Sequence, residues 1–453
     1  MIRYVLPLIL LTFIGCNSKQ KENYTYFGGK IINPKSKFVV LTNHNNFADT
    51  IPLKDDHSFL GKYKDIKEGL YYFKHGPEHQ YVYIQPQDSI LLRLNTWGVF
   101  DESLVFSGSN AQRNNALIEV FLENEEDLKK FYQFKGLNSK DYKKAFDSII
   151  SLKKDKLASY IDQNEDESER FLSLLEIALT YQAYTKLEQY AINNATHHKK
   201  DSLNNNYFNY KENINTSLDS LMFFYPYNEY VITSLYNDVH QKGIKHNTEA
   251  FVIELLNNIG SKIKDEKVKN RLLFNSTIKH FFTETCHRSN KKVLYTFFKL
   301  SSDIDNKKEI QRLINDTKHV TKGDKLPSFN LVDATGEMIE ASNLVKGKKT
   351  VLYFRNHKST SDEWVASRIK YLQKKNPNIN FLIVNSCKKS KNCFTKNIDI
   401  KGQLRLADDS KAKEFLTSKF SRLILVDENG IVKNGYSSLS SDKLNQQLAD
   451  LQK

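Results

Sequence analysis

The spacing of apolar residues changes twice along the 453-residue chain, and these changes constrain the fold more than any other feature. Residues 24–107 carry short apolar runs separated by turn residues, a pattern typical of a small antiparallel β-sandwich. Residues 108–320 carry apolar residues at helical spacing without a fixed-period repeat, which predicts an irregular α-helical domain. Residues 321–453 alternate between strand-like and helix-like segments, which predicts an α/β domain. The sequence therefore predicts a multidomain α+β protein.

The alternating C-terminal segment reads as a β-α-β unit followed by a β-β-α unit. Asn429 and Gly430 form a strong turn signal between two apolar runs. In the middle segment, residues 171–179 are apolar nearly all round, which predicts a central buried helix. The predicted C-terminal strands are 350–354, 379–385 and 422–427, and the predicted helices are 361–375, 410–419 and 443–451.

The first 15 residues have the pattern of a signal peptide, with a basic start and an apolar run too short to span a bilayer. The stretch 13–16, which ends in Gly15-Cys16, resembles a bacterial lipobox. The resemblance implies cleavage before Cys16, acylation of Cys16 and a polar tether over residues 16–23. Several acyl chains on one cysteine give stable membrane anchoring. We expect a lipid anchor in the cell envelope; an ordinary secretory signal that holds a cysteine is the alternative.

The positive charge does not indicate a nucleic-acid partner. The chain has 67 Lys and Arg against 53 Asp and Glu, a net charge of +14, but its lysines lie in short scattered runs. Lysine-rich solvated faces are the favoured interpretation, and attraction to anionic lipid headgroups or acidic glycans is the alternative. The tether lacks the acidic cluster of some surface-export signals, so we expect an outer-membrane anchor that faces the periplasm.

The four cysteines include no Cys/His cluster with zinc spacing, so the sequence predicts no metal and no cofactor. His75 and His79 suit a hairpin turn better than a pair of ligands. Cys387 and Cys393 are favoured as a local structural disulfide in an oxidising envelope, with a relocated redox pair as the alternative. Cys286, at the end of an apolar helix, is interpreted as a buried thiol.

Residues 323–333, Gly336, 349–354 and 425–431 resemble the TlpA-like and ResA-like periplasmic thioredoxin domains. The resemblance implies a thioredoxin-like α/β fold for this part of the chain. Over the remainder it depends on the order of the segments: lipoprotein signal, β domain, helical domain, thioredoxin fold. The stretch 83–92, followed by 106–108, resembles a small β domain that often precedes such thioredoxin domains. Gln87 stands where that pattern has glycine, which leaves a different turn open.

The catalytic residues of the family are absent from the matching positions. In that family a strand leads into a Trp-Cys-x-x-Cys motif at a helix N-terminus. The helix dipole lowers the pKa of the first thiol, which makes it a nucleophile. The second cysteine then resolves the mixed disulfide. Alignment on Phe354 places Ser359 at the nucleophile and Asp362 at the resolving position. Ser421 stands at the position of the family's cis-proline, and serine favours a trans peptide. We therefore do not expect conventional oxidoreductase activity.

Ser359 has a second interpretation as a nucleophile in another chemistry, with His357 beside it and Asp362 as an acid partner. No nucleophile elbow or oxyanion-hole motif accompanies the serine. Helix capping is therefore favoured: Ser359 or Thr360 would be the N-cap, with Asp362 and Glu363 in the first turn.

The resulting hypothesis is a non-catalytic binding or structural role. The groove that holds an extended peptide in active relatives would be kept as a recognition surface around residues 358–362 and Ser421. Its partner would be an envelope protein or an extended peptide. The alternative is a thiol-disulfide oxidoreductase that uses Cys387 and Cys393.

Overall fold

The computed structural model describes residues 24–44, 47–98, 100–196, 203, 206–283, 291–356, 360–386, 394–395, 397–399 and 402–453. These residues form two compact units. The first unit holds the described residues within Met1–Tyr190, Lys200–Asn209 and Ser220–Val231. The second holds those within Ala191–Lys199, Tyr210–Asp219 and Ile232–Lys453. The helices predicted as one domain over residues 108–320 are thus divided between the two units.

In the first unit, two four-stranded sheets enclose one apolar core, with Phe27, Ile31 and Leu92 from one sheet and Leu41 and Phe73 from the other. The sheet orders are β4-β1-β7-β8 and β3-β2-β5-β6. The predicted all-antiparallel pairing is wrong at one place: β1 and β7 are parallel, because the chain crosses to the other sheet between them. The strands are β1 Thr25–Ile32, β2 Phe38–Thr42, β3 Ala48–Pro52, β4 Ser58–Tyr63, β5 Gly69–His75, β6 Glu78–Ile84, β7 Ser89–Asn95 and β8 Val105–Gly108.

The turn between β6 and β7 keeps a left-handed residue without glycine. Gln87 has a φ of 71°, in the region that glycine adopts most easily. Its backbone N–H donates to the Thr25 hydroxyl at 2.8 Å. The side chain of Asp88 accepts from the Gln85 backbone N–H at 2.7 Å, which closes the turn. Local hydrogen bonds therefore hold Gln87 in a conformation that glycine adopts more easily.

The helices that follow pack through buried apolar and tyrosine side chains. Phe171, Leu175 and Ala178 of α4 are all buried, which confirms the central buried helix that its nearly all-round apolar sequence predicts. The Tyr142 and Tyr190 rings stack with centroids 3.9 Å apart. The helices are α1 Phe100–Ser103, α2 Ala111–Phe134, α3 Ser139–Gln163, α4 Glu169–Thr196 and α5 Tyr225–His240, of which α4 and α5 each contribute to both units.

The second unit begins with helices whose N-termini are capped by side chains. Thr248 accepts from the Phe251 backbone N–H, and Asp303 accepts from the Asn306 backbone N–H. Among the helices within the described residues, none combines the length and the apolar character that a membrane crossing requires. These helices are α6 Glu249–Lys262, α7 Glu266–Thr283, α8 Lys291–Leu300 and α9 Ile304–Thr317.

A seven-stranded sheet of order β10-β9-β13-β12-β11-β14-β15 forms the C-terminal part of this unit. β11 is parallel to β12 and antiparallel to β14, as the predicted β-α-β and β-β-α units require. α11 and α12 cover one face of the sheet, and Phe281, Phe282 and Leu313 of α7 and α9 cover the other. The elements are β9 Asn330–Val332, β10 Met338–Glu340, α10 Ala341–Val345, β11 Thr350–Arg355, α11 Asp362–Lys375, β12 Asn380–Asn385, β13 Gln403–Leu406, β14 Arg422–Val426, β15 Val432–Ser437 and α12 Leu444–Gln452.

The strand order and connections of β11, α11, β12, β14, β15 and α12 are those of a thioredoxin-like domain, so the multidomain α+β fold class is confirmed. The predicted helix 410–419 is wrong: only a single 3₁₀ turn, Lys411–Glu414, forms there. The residues after this turn give their backbone N–H groups to carboxylates of α9, and this tertiary bonding replaces the helical pattern.

Candidate functional site

The candidate site lies at the edge of the sheet where β11 ends and α11 begins. Phe354 of β11 pairs with Arg422 of β14, so the residues after β11 and before β14 meet at this edge. Asp362 is the first residue of α11, and Ser421 directly precedes β14. The structure thus brings two of the sequence-predicted positions to one edge, whereas Ser359 lies outside the described residues.

Arg355, the last residue of β11, forms an ion pair with Asp362. The Arg355 side chain is fully buried, and its Nη2 lies 2.6 Å from Oδ1 of Asp362, whose side chain is 24% exposed. Nη2 also donates to the backbone carbonyl of Thr360 at 3.1 Å, and Nη1 donates to the Thr395 hydroxyl. A buried guanidinium needs an acidic partner, and Asp362 supplies one. The predicted resolving position is therefore occupied by a charge-paired carboxylate.

A network of amide side chains supports the Arg355 partner Thr395. The Thr395 backbone N–H donates to Oε1 of Gln403 at 2.7 Å, and Nε2 of Gln403 donates back to the Thr395 carbonyl at 2.9 Å. Nδ2 of Asn385, the last residue of β12, donates to the Leu404 carbonyl at 3.2 Å. These bonds satisfy buried polar groups, and they fix Thr395 against the end of Arg355.

The N-cap of α11 is Ser361, one or two residues after the predicted Thr360 or Ser359. The Ser361 hydroxyl accepts from the Trp364 backbone N–H at 3.2 Å. The predicted acidic first turn of Asp362 and Glu363 is present. The cap lies later than expected because the Thr360 carbonyl accepts a hydrogen bond from Arg355. The helix therefore begins only after Thr360.

Ser421 ties the two loops of the site together. Its hydroxyl accepts from the Asn356 backbone N–H at 2.9 Å, and Nδ2 of Asn356 donates to the Lys419 carbonyl at 2.6 Å. Among the described residues every peptide bond is trans, including the bond that precedes Ser421. Ser421 therefore occupies the predicted position with a trans backbone and a side-chain hydrogen bond across the site.

The loop before Ser421 is held by two buried carboxylates of α9, of which Asp316 makes most of the bonds. Asp316 accepts from the backbone and hydroxyl of Thr417 at 3.0 and 2.5 Å, and from those of Ser418 at 3.0 and 2.7 Å. It also forms a buried ion pair with Arg422, with Nη1 3.0 Å from Oδ2. Glu309, two turns earlier on the same face of α9, accepts from the Lys419 backbone N–H. The sequence reasoning missed Asp316, since nothing near it in the chain signals a partner about a hundred residues later.

A cavity of about 460 Å³ opens beside these loops. Thr360, Trp364 and Ser421 line it from the thioredoxin-like domain, and Phe282 of α7 lines it from the opposite side. The Trp364 side chain is 41% exposed, and the Phe420 ring lies 5.7 Å from that of Phe282. The cavity thus offers aromatic faces and hydroxyl groups to a ligand, and we call it the Trp364 groove.

The four predicted thiols, Cys16, Cys286, Cys387 and Cys393, lie outside the described residues. Within the described ranges, no group of His, Cys, Asp and Glu side chains could hold a metal ion. His75 is fully buried in the β-sandwich, where Nε2 accepts from the Lys35 backbone N–H at 2.9 Å and burial lowers its pKa. Its pairing with Glu78 across the β5–β6 hairpin agrees with the predicted turn.

No protein-family model and no curated protein matches this chain. Solved structures do match, over part of the chain. They include the thioredoxin domain of a thiol-disulfide oxidoreductase from Bacteroides vulgatus, at 22% identity over 29% of this chain and 97% of that chain, with a TM-score of 0.23. A thioredoxin-like protein from Bacteroides caccae matches at 14% identity over 58% of this chain and 93% of that chain, with a TM-score of 0.30. A protein described as a thiol:disulfide interchange protein DsbE from Chlorobium tepidum matches at 19% identity over 29% of this chain and 98% of that chain, with a TM-score of 0.26. The assignment of a thioredoxin-like domain therefore rests on its strand order and connections.

Proposed function

We propose that this chain is a lipid-anchored protein of the cell envelope whose thioredoxin-like domain binds an extended peptide and does not exchange thiols with disulfides. The ion pair between Arg355 and Asp362 carries this proposal. It stands at the junction of β11 and α11, where an active thioredoxin has its dithiol. A carboxylate bound to a buried guanidinium has no sulfur to attack or resolve a disulfide.

The fixed geometry of the Trp364 groove supports binding. Asp316 and Glu309 hold the loop before Ser421, and Arg355 holds the start of α11. A site whose walls are already ordered loses less conformational entropy when a ligand binds. Trp364 offers a large, partly exposed ring at this site, and such rings are frequent anchors in binding surfaces.

The anchor is proposed from the sequence alone, on the pattern Gly15-Cys16 after a short apolar run. Cys16 lies outside the described residues. Acylation of Cys16 would place the protein in the outer membrane, facing the periplasm. Metabolic labelling with a palmitate analogue should mark the wild-type protein, and the Cys16→Ser variant should lose both the label and its recovery in the membrane fraction. A labelled Cys16→Ser variant would contradict the anchor.

Peptide binding can be tested with a matched pair of aromatic substitutions on α11. Trp364 and Tyr371 are both exposed, at 41% and 50%, but only Trp364 lines the groove. Peptides of random sequence are selected for binding to the full chain, and the affinity of the best one is measured by fluorescence anisotropy. Trp364→Ala should weaken it by about tenfold or more, and Tyr371→Ala should leave it within about twofold. Equal effects of the two substitutions would contradict binding in the groove.

A further inference from the structure

A second cavity, of about 700 Å³, lies in the first unit and plays no part in the proposal above. Its volume is within the range of small-molecule sites, which is about 300–1,000 Å³. Strands β2, β5 and β6 of the sandwich form one wall, and α2, α4 and the start of α5 form the other. We call it the Tyr81 cavity, after one of its aromatic lining residues.

The aromatic wall of this cavity is held in a fixed position. The Tyr81 hydroxyl donates to the Phe223 carbonyl at 3.0 Å and accepts from the Tyr225 backbone N–H at 3.0 Å. Its ring lies 5.7 Å from that of Tyr72 and 6.3 Å from that of Phe223. Tyr225 stands at the rim, 56% exposed. A ligand would therefore meet several ring faces that need little rearrangement.

Three lining side chains have polar groups without a hydrogen-bond partner among the described residues: the amide of Gln182, the carboxylate of Glu125 and the hydroxyl of Tyr72. An amide and a hydroxyl both donate and accept, and a carboxylate accepts. The set suits a ligand that has both donors and acceptors. A primary ammonium group, whose N–H groups can only donate hydrogen bonds, would leave the amide N–H donors of Gln182 without an acceptor.

The charge of the lining excludes another class of ligand. The chain has 67 Lys and Arg, yet none of the described residues that line the cavity is a lysine or an arginine. Glu125 supplies a negative charge there. A phosphate or carboxylate ligand would have no lysine or arginine to bind and would be repelled by Glu125.

We propose that the Tyr81 cavity binds an uncharged saccharide. The C–H face of a sugar ring packs against aromatic faces, whose π-electrons carry partial negative charge. The sugar hydroxyls can donate to Glu125 and exchange hydrogen bonds with Gln182. Aromatic rings, mixed donors and acceptors, and a described lining without lysine or arginine together match this chemistry better than that of an anion or a simple amine.

The test uses the full chain and four neutral trisaccharides, namely maltotriose, cellotriose, xylotriose and tri-N-acetylchitotriose, in saturation-transfer NMR at about 10 mM. At least one should receive saturation from the protein. Gln182→Leu should weaken its binding by about tenfold, because a hydrogen bond and its geometry are lost. Gln189→Leu, also on α4 but outside the cavity, should leave the affinity within about twofold.

Tyr225→Ala is a second variant that tests the aromatic wall, since an exposed rim residue can be removed without disturbing the core. It should also weaken binding by about tenfold. The proposal is overturned if none of the trisaccharides binds, or if both Gln182→Leu and Tyr225→Ala bind as the wild type does. It is equally overturned if tetramethylammonium or inorganic phosphate binds the cavity and the trisaccharides do not.

Discussion

Removal of the Asp316 carboxylate should destabilise the thioredoxin-like domain and loosen the loop that carries Ser421. Asp316 is fully buried and accepts five hydrogen bonds, from Thr417, Ser418 and Arg422. In Asp316→Ala the Arg422 guanidinium, with a side chain 1% exposed, stays buried without its counter-ion. The substitution therefore removes a charge partner as well as a structural contact.

The expected loss follows from that burial. Breaking a buried ion pair by removing one partner lowers the free energy of unfolding by about 3–5 kcal/mol. The lost hydrogen bonds to Thr417 and Ser418 affect the same loop, so their contribution does not simply add to that of the ion pair. We expect the free energy of unfolding to fall by about 4 kcal/mol in total. The double variant Asp316→Ala/Arg422→Met should lose less than Asp316→Ala alone, because no unpaired charge remains.

Urea unfolding followed by fluorescence provides the measurement. The chain has two tryptophans, so in a Trp97→Phe background the signal reports Trp364 of the thioredoxin-like domain. Asp305→Ala is the matched control, an exposed aspartate in the first turn of the same helix, and should cost about 1 kcal/mol or less. A loss below about 1 kcal/mol for Asp316→Ala, or a double variant less stable than the single, would refute the reasoning.

Three further results are expected. Gln87→Gly should raise the free energy of unfolding by about 1 kcal/mol in urea, because the φ of 71° strains a residue with a side chain; a decrease would contradict the turn described above. Asp362→Ala should lower the free energy of unfolding by about 2–3 kcal/mol, which is less than for a fully buried ion pair. The control Glu363→Ala should lower it by about 1 kcal/mol or less. Equal losses for the two variants would argue against the ion pair between Arg355 and Asp362. Burial lowers the pKa of His75 from its ordinary value of 6.5, so the unfolded state takes up a proton more readily and stability falls as the pH drops below about 6.5. The urea concentration at the unfolding midpoint should therefore fall with pH in the wild type and fall less in His75→Gln. The control His79→Gln, at an exposed position, should behave as the wild type does. An unchanged fall in His75→Gln would refute the role of His75.

The fold of the C-terminal part could be predicted because its strands are continuous apolar runs. Predicted strands 350–354, 379–385 and 422–427 differ from β11, β12 and β14 by no more than one residue at either end. The predicted helix 410–419 failed because Asp316 and Glu309, about a hundred residues earlier, bind the backbone of Thr417, Ser418 and Lys419. Local sequence cannot indicate a partner at that distance.

The candidate site was predicted only in part. The alignment on Phe354 points to Ser359 and Asp362, and the position before the strand 422–427 points to Ser421, but neither indicates a role for Arg355, the residue after Phe354. A signal was available: an arginine that ends an otherwise apolar strand needs a buried counter-charge, and the acidic first turn of the following helix supplies one. The Tyr81 cavity had no such signal, because its walls come from strands and helices far apart in the chain.

Turnover of a disulfide substrate by the full chain tests most directly whether the thioredoxin-like domain acts as a redox enzyme. Insulin reduction with dithiothreitol as the electron donor is followed for the wild type and for Cys393→Ser, and mass spectrometry counts the free thiols of each protein. The proposed function predicts a stable bridge between Cys387 and Cys393 and no turnover above the rate without protein. Insulin reduction that is lost in Cys393→Ser would contradict it and would establish a thiol-disulfide oxidoreductase.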